Sequence, residues 1–369
     1  MKIALINLGR TGAGPVYAFE IAKALSQKVE LLCIISSQSE NIDQWRASGL
    51  DIFEVDTYNN FREFVSATLR LKSLLTIVKR IKEFKPDFIY TPMIHLWTAL
   101  IGFLTPGIPK ILTIHDISQH DGEQNLLLDF VREVSLRQST LIILLSEIFR
   151  QKMITRGFPT DKIIVIPHGQ FSYYHSVSTG RLDHLSPDLP VILFFGRIYA
   201  YKGLDTLLNA FPIIRQNIPN AQLLIAGNGD LSPYQGLLEG QEGIVIVNKW
   251  IEEYEVANYF LQANLVVLPY KESSQSGVIP TAYAFKLPVV ATRTGGIQEQ
   301  VVDHQTGLLV EPDSPGQLAE ACISLLTKPE LARSMGNNGY KMAMEEWSWE
   351  KAAEKITTAC RLCQKNLPY

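Results

Sequence analysis

Apolar positions in this chain fall into short, almost unbroken runs separated by longer amphipathic stretches. The first run sets the type: Ile3, Ala4, Leu5 and Ile6 lie between Lys2 and Asn7 without the alternation of a half-exposed strand. Such runs read as strands buried on both faces of a parallel sheet. The pattern recurs at residues 29–35, 86–90, 109–114, 140–146 and 162–169. It returns at 191–195, 222–226, 244–247, 264–270, 289–292 and 306–310. Helical spacing fills much of the rest, notably from Tyr17 to Leu25 and over residues 62–85, 204–216 and 278–285, with a charged amphipathic stretch at 349–365. Strand-helix alternation predicts α/β layers around parallel sheets. A polar, irregular segment at about 173–189 interrupts it, and the alternation then restarts. The expected division is a first domain over residues 1–175, a second over 176–348, and a terminal helix over 349–369.

A length of 369 residues accommodates two domains with separate cores. Hydrophobic content of 46% and a mean hydropathy of +0.06 suit a globular chain with much buried sheet. A net charge of −3 argues against bulk nucleic-acid binding. The apolar run after Met1 is too short for a signal peptide, Asn7 interrupts it, and no window reaches the length of a membrane span, so a cytoplasmic protein is expected. Cys33 and Cys322 lie within apolar runs. Cys360 and Cys363 form a C-x-x-C with no second pair and no nearby histidine, and read as structural.

The candidate chemistry collects where strands end. After the first run come Gly9, Gly12 and Gly14, with Pro15 suited to a first helical position. A dinucleotide fingerprint would need an acidic residue after the second strand, where Ser36, Ser37 and Gln38 stand instead. The strand at 109–114 delivers His115 and Asp116, followed by Ser118, His120, Asp121 and Glu123. His115 reads either as a ligand-facing residue or as a hydrogen-bonded structural histidine, and the same two readings apply to His95 and His120. A five-residue spacing of His115 and His120 in a loop fits none of the common zinc motifs. Over residues 62–85 the basic residues Arg70, Lys72, Lys79, Arg80, Lys82 and Lys85 sit among leucines and isoleucines. That pattern is either a solvated crossover helix or a peripheral contact with an anionic membrane surface.

In the second half, Arg197 and Lys202 follow the strand at 191–195 within a segment bounded by Gly196 and Gly203. Two cations at a strand's carboxyl end can neutralise a pyrophosphate without a metal ion. Downstream, Ser273, Ser274, Gln275, Ser276 and Gly277 lead into a short helix with Pro280 in its first turn. This is either a phosphate-binding loop or an ordinary strand-helix turn.

The ordered set is more specific than any member. Gly196-Arg197, Lys202-Gly203, Ala226 to Gly229, the small-residue loop, Leu287-Pro288, Gly295-Gly296 and Thr306-Gly307 together resemble glycosyltransferase family 4, and Thr113 to Asp116 and Ile166 to Gly169 agree. The resemblance runs nearly end to end. It implies the GT-B architecture: two Rossmann-like α/β domains facing a central cleft, with the last helix crossing back to the first. It also implies a retaining transfer from a nucleotide-diphosphate sugar, needing neither cofactor nor metal. Carried over by residue, Arg197 and Lys202 would hold the diphosphate, His115 would touch the transferred sugar, and Gly12 would approach the donor phosphate or acceptor. Gly196, Asn228, Glu272, Ser276, Gly277, Val278 and Ile279 would line the donor site, with Trp250 and Ile251 at the base. Gly14, His95 and His120 would fall on the acceptor side.

The departures are specific. The family usually carries two glutamates eight positions apart around the phosphate loop; counting back from Pro288, Ser273 and Thr281 stand there, with Glu272 adjacent to the first. Lys286 occupies a position where glycine is common. UDP-glucose is the expected donor, and a saccharide or lipid-linked molecule the expected acceptor. Phosphorylase or epimerase chemistry on the same fold, and a nucleotide-sugar-binding relative without activity, are the alternatives.

Overall fold

The apolar runs form the centres of two parallel sheets in a computed structural model that describes residues 1–58, 61–116, 125–171, 174 and 189–366. The first sheet holds β1 (Lys2–Asn7), β2 (Glu30–Ser36), β3 (Asp51–Val55), β4 (Phe88–Thr91), β5 (Lys110–Ile114), β6 (Leu141–Leu144) and β7 (Ile163–Val165). Its order is β3-β2-β1-β4-β5-β6-β7, every pair parallel. The intervening helices are α1 (Ala13–Ser26), α2 (Ile42–Ala47), α3 (Phe61–Arg70), α4 (Lys72–Phe84), α5 (Thr98–Leu104), α6 (Leu126–Gln138) and α7 (Arg150–Thr155).

The second sheet holds β8 (Val191–Phe195), β9 (Gln222–Ala226), β10 (Ile244–Val247), β11 (Leu265–Leu268), β12 (Val289–Thr292) and β13 (Gly307–Val310). Its order, β10-β9-β8-β11-β12-β13, repeats the logic of the first. Its helices are α8 (Leu204–Asn217), α9 (Gln235–Leu238), α10 (Val256–Phe260), α11 (Val278–Ala284), α12 (Ile297–Gln300), α13 (Pro315–Thr327) and α14 (Pro329–Glu346). A last helix, α15 (Trp349–Asn366), packs on α1. Among the described residues, one compact unit takes those up to Pro167 and again those from Trp349; the other takes those from His168 to Ser348.

Burial explains why the runs are strands. Ile3, Ala4 and Leu5 are wholly inaccessible, as are Leu193, Val266 and Val289, so each central strand is covered on both faces. Edge strand β3 has no such run: Asp51 is exposed and Ile52, Phe53 and Glu54 are half-buried, so its pattern gave no signal of a buried strand. Residues 62–85 are two helices rather than one, broken at Leu71, whose φ of +55° is left-handed. The Leu71 N–H closes a tight turn on Thr68 O at 3.2 Å, and its carbonyl starts the next helix by accepting from Leu75 at 2.8 Å. The polar segment at 173–189 lies almost wholly outside the described residues, as does His120. Among the described residues no helix is long and apolar enough to cross a membrane.

Candidate active site

In each sheet the strand order reverses at one place, between β1 and β4 and between β8 and β11. Loops leaving the two strands there diverge, and open α/β sheets bind ligands in the resulting crevice. In the second unit, the loop after β8 passes through Gly196 and the tight turn Ala200–Lys202 before α8 begins. This turn brings the Lys202 ammonium back over the strand end, where a Cβ on Gly196 would stand 3.1 Å from Nζ. On its other side Nζ lies 5.0 Å from the ring centre of Tyr270, which follows β11. Among the described residues no carboxylate forms an ion pair with Lys202. Lys271 shows the contrast: its ammonium bridges Asp205 at 2.7 Å and Asp313 at 3.1 Å. Arg197 is exposed, its guanidinium 5.1 Å above the Tyr199 ring, which stacks in turn on Tyr201 at 6.0 Å. Both candidate cations thus rest on tyrosine faces, and for Lys202 that placement holds the charge without neutralising it.

The neighbouring loops are fastened to this turn through backbone. Gly227, at φ +144°, lies so close that a Cβ would fall 2.0 Å from Gly196 O. The Asn228 carbonyl accepts the Ile198 N–H at 2.8 Å. Beyond β10, the Asn248 carboxamide both donates to and accepts from Gly229, each at 3.0 Å. Trp250 is 36% exposed and Ile251 half-buried beside it in sequence.

The stretch after β11 is bound just as closely. Ser273 is buried, its hydroxyl donating to Gln275 O at 2.9 Å and its carbonyl accepting from Gly296 at 3.3 Å. The Gln300 carboxamide holds Ser276 from both sides, accepting its N–H at 2.8 Å and donating to its carbonyl at 2.9 Å. Ser276 Oγ accepts from Val278 N at 3.2 Å, and the Thr281 hydroxyl donates to Gly277 O at 2.8 Å. The hydroxyls standing in the two glutamate positions are therefore engaged locally. Glu272 is exposed, Gly277 and Val278 are half-buried, and Ile279 is buried. His168, not singled out from sequence, is buried against this loop: Nε2 lies 3.8 Å from a Cβ built on Gly277, while Nδ1 contacts Gly169 O at 2.9 Å. Lys286 has φ +57°, a left-handed conformation that glycine adopts more readily than lysine.

In the first unit, Gly12 at φ +79° precedes α1, and its N–H donates to the Glu40 carboxylate at 3.1 Å. Glu40, also unremarked in the sequence, lies four residues beyond β2. Gly14 is buried, with Met93 Cε 3.0 Å from where its Cβ would be. His115 follows β5, and its Nε2 lies 2.9 Å from Pro92 O, which assigns the proton to Nε2. Burial lowers its pKa, so the ring is neutral at pH 7. His95 is engaged in shaping the start of α5: Nδ1 accepts the Trp97 N–H at 3.2 Å, and its own N–H donates to Thr98 Oγ1 at 2.9 Å. Burial and nearby Arg10 push its pKa down to about 3.

Two family models match successive parts of the chain. The one described as Glycosyltransferase Family 4 covers residues 14–169, and the one described as Glycosyl transferases group 1 covers residues 189–328. The chain belongs to glycosyltransferase family 4. This family 4 glycosyltransferase is 27% identical over 297 residues to an alpha-maltose-1-phosphate synthase of Mycolicibacterium smegmatis, spanning 71% of this chain and 76% of that one. It is 26% identical over 310 residues to the capsular polysaccharide biosynthesis glycosyltransferase CapM of Staphylococcus aureus, spanning 78% and 81%. Among solved structures, Anabaena HepE in complex with UDP-glucose superposes with a TM-score of 0.74 at 17% identity, covering 97% of this chain and 100% of that one. The enzyme thus has the GT-B type of fold, with two Rossmann-like parallel-sheet domains.

Proposed function

We propose that this glycosyltransferase transfers a hexose, best taken as glucose from UDP-glucose, with retention of configuration and without a metal ion. The observation that carries this reading is Lys202, held over Tyr270 beside Gly196 at the switch point of the second sheet, without a carboxylate ion-pair partner among the described residues. A cation so placed is ready for a diphosphate. Arg197 on Tyr199 supplies the second positive charge, and the loop ending at Trp250 and Ile251 supplies the base-binding edge. In the reaction, the bond from the sugar's anomeric carbon to the phosphate oxygen breaks and its electron pair leaves with the diphosphate. The acceptor hydroxyl attacks the same face and passes its proton to the departing phosphate oxygen. Arg197 and Lys202 act on the negative charge that grows on that oxygen. His115, neutral, lies against the transferred sugar.

The acceptor is read as a saccharide or lipid-linked molecule, in keeping with the capsular polysaccharide biosynthesis named for CapM. A lipid-linked acceptor would suit α4, whose exposed positions include Lys72, Leu75, Lys79 and Lys82, with exposed Leu71 just before it. That face combines apolar and cationic groups as a peripheral membrane contact does. Nucleotide release from UDP-, GDP- and ADP-sugars, measured with and without a chelator, tests the reading. Release from UDP-glucose that is indifferent to chelator is expected. Release only with a divalent ion, or from a different nucleotide alone, would overturn the corresponding part.

A further inference from the structure

Tyr17 lies in the first turns of α1, buried, and meets three elements of the first unit at once. Its ring stands edge-on to His115 at 4.8 Å and 78°, and to Trp349 at 5.0 Å and 82°. Its hydroxyl is buried near those of Tyr90 on β4 and Thr113 on β5, which are themselves 2.9 Å apart. The three hydroxyls make a buried polar cluster where α1, β4 and β5 meet. His115 is gripped between the Pro92 carbonyl at Nε2 and the edge contact with Tyr17. Burial raises the Tyr17 pKa to about 12, which keeps the hydroxyl protonated throughout the neutral range.

We propose that Tyr17 is a positioning residue for His115: its hydroxyl is buried beside those of Tyr90 and Thr113, its ring fixes and shields the imidazole, and Trp349 braces that ring where the chain returns to the first unit. The proposal rests on the reading in which His115 lies against the transferred sugar. A misplacement of about 1 Å at such a residue can lower turnover about 10²-fold. Substitution of Tyr17 should therefore act on kcat rather than on nucleotide affinity, because Arg197, Lys202, Trp250 and Ile251, assigned to the diphosphate and base, belong to the second unit.

The test compares the full-length wild type with Tyr17→Phe and Tyr17→Leu. It follows the His115 imidazole by NMR titration, UDP affinity by calorimetry, and kcat and KM for the donor. Tyr17→Phe keeps both ring contacts and should leave the His115 titration in place, with kcat down about 3- to 10-fold, a minor share of the 10²-fold expected for full misplacement. Tyr17→Leu opens the imidazole to water. The His115 titration should move up toward its ordinary value and the acid limb of kcat with it, while UDP affinity stays within twofold. A folded Tyr17→Leu enzyme with unmoved His115 titration and kcat within twofold of wild type would overturn the proposal. If Tyr17→Leu does not fold, a Tyr17→Phe enzyme with wild-type kcat would overturn it instead. The titration is independent of turnover. A shifted His115 in a protein that transfers no sugar would leave the positioning intact and count against the proposed function alone.

Discussion

The carboxyl edges of the two sheets are built by opposite means. In the second unit, backbone meets backbone: a Cβ on Gly203 would lie 1.9 Å from Pro269 O, and one on Gly227 2.0 Å from Gly196 O. In the first unit, side chains make the edge. Glycines 9 and 14 face only the Asn7 carboxamide and the flexible end of Met93, while rings and hydroxyls of Tyr17, Tyr90, Thr113 and His115 form the packed layer. Backbone that must shift drags its hydrogen bonds along, whereas a methionine end rotates away. The same residue type therefore signals a rigid, preformed cation site in one unit and a tolerant loop in the other. Nothing in a glycine's sequence neighbourhood separates the two cases.

The sharpest way to break this contrast is to give the second unit a methyl group where it has no room. Gly203→Ala and Gly227→Ala each combine left-handed or glycine-only backbone with overlap on a carbonyl, and should cost more than about 3 kcal/mol in urea unfolding. A loss under about 1 kcal/mol would mean that the loops are not interlocked. The first unit should respond to pH instead, through its buried histidines. Unfolded, His95 takes a proton near 6.5; folded, only near 3. The unfolded state therefore gains protons first as pH falls, so stability is complete above 6.5 and declines below it, by at most about 1.4 kcal/mol per pH unit for this residue. His115, shifted the same way, adds to the slope. His95→Asn, whose carboxamide oxygen can still accept the Trp97 N–H, should flatten it.

Smaller effects sharpen the comparison. Lys286 sits at φ +57° with its ammonium 4.9 Å from the Tyr340 ring centre. Lys286→Gly should be more stable than Lys286→Ala by about 1 kcal/mol, since only the former suits left-handed backbone. Equal stability would remove the backbone explanation. Gly14→Ala should change stability by less than about 0.5 kcal/mol, because a better helix former offsets a contact that Met93 can relieve. A loss of several kcal/mol would show the first unit's loop to be as locked as the second's.

Much of the fold could be read from continuous burial. Strands such as β8 and β12 are apolar without interruption, and no helix competes for runs that short. Strand β3 escaped because Asp51 and Glu54 place it at a half-exposed edge. The break at Leu71 escaped because leucine is a good helix former and only tertiary structure holds it left-handed. At the site, Arg197 and Lys202 were legible as cations at a strand end. Their tyrosine supports were not, since Tyr199 and Tyr270 look like any aromatic residue until the loops after β8 and β11 are brought together. The carboxamides of Asn248 and Gln300 were equally hidden, because each clamps backbone more than fifteen residues away. Glu40 turning back onto Gly12 belongs to the same class.

The central claim is that Lys202 acts on the charge of the departing diphosphate. The measurement that tests it most directly sets the kcat of Lys202→Ala beside its affinity for UDP. The account predicts kcat lower by about 10²–10³-fold, with a smaller loss of UDP affinity, because the ammonium counts most as the bond to phosphate breaks. Unchanged turnover in a variant that still folds and binds UDP would contradict it.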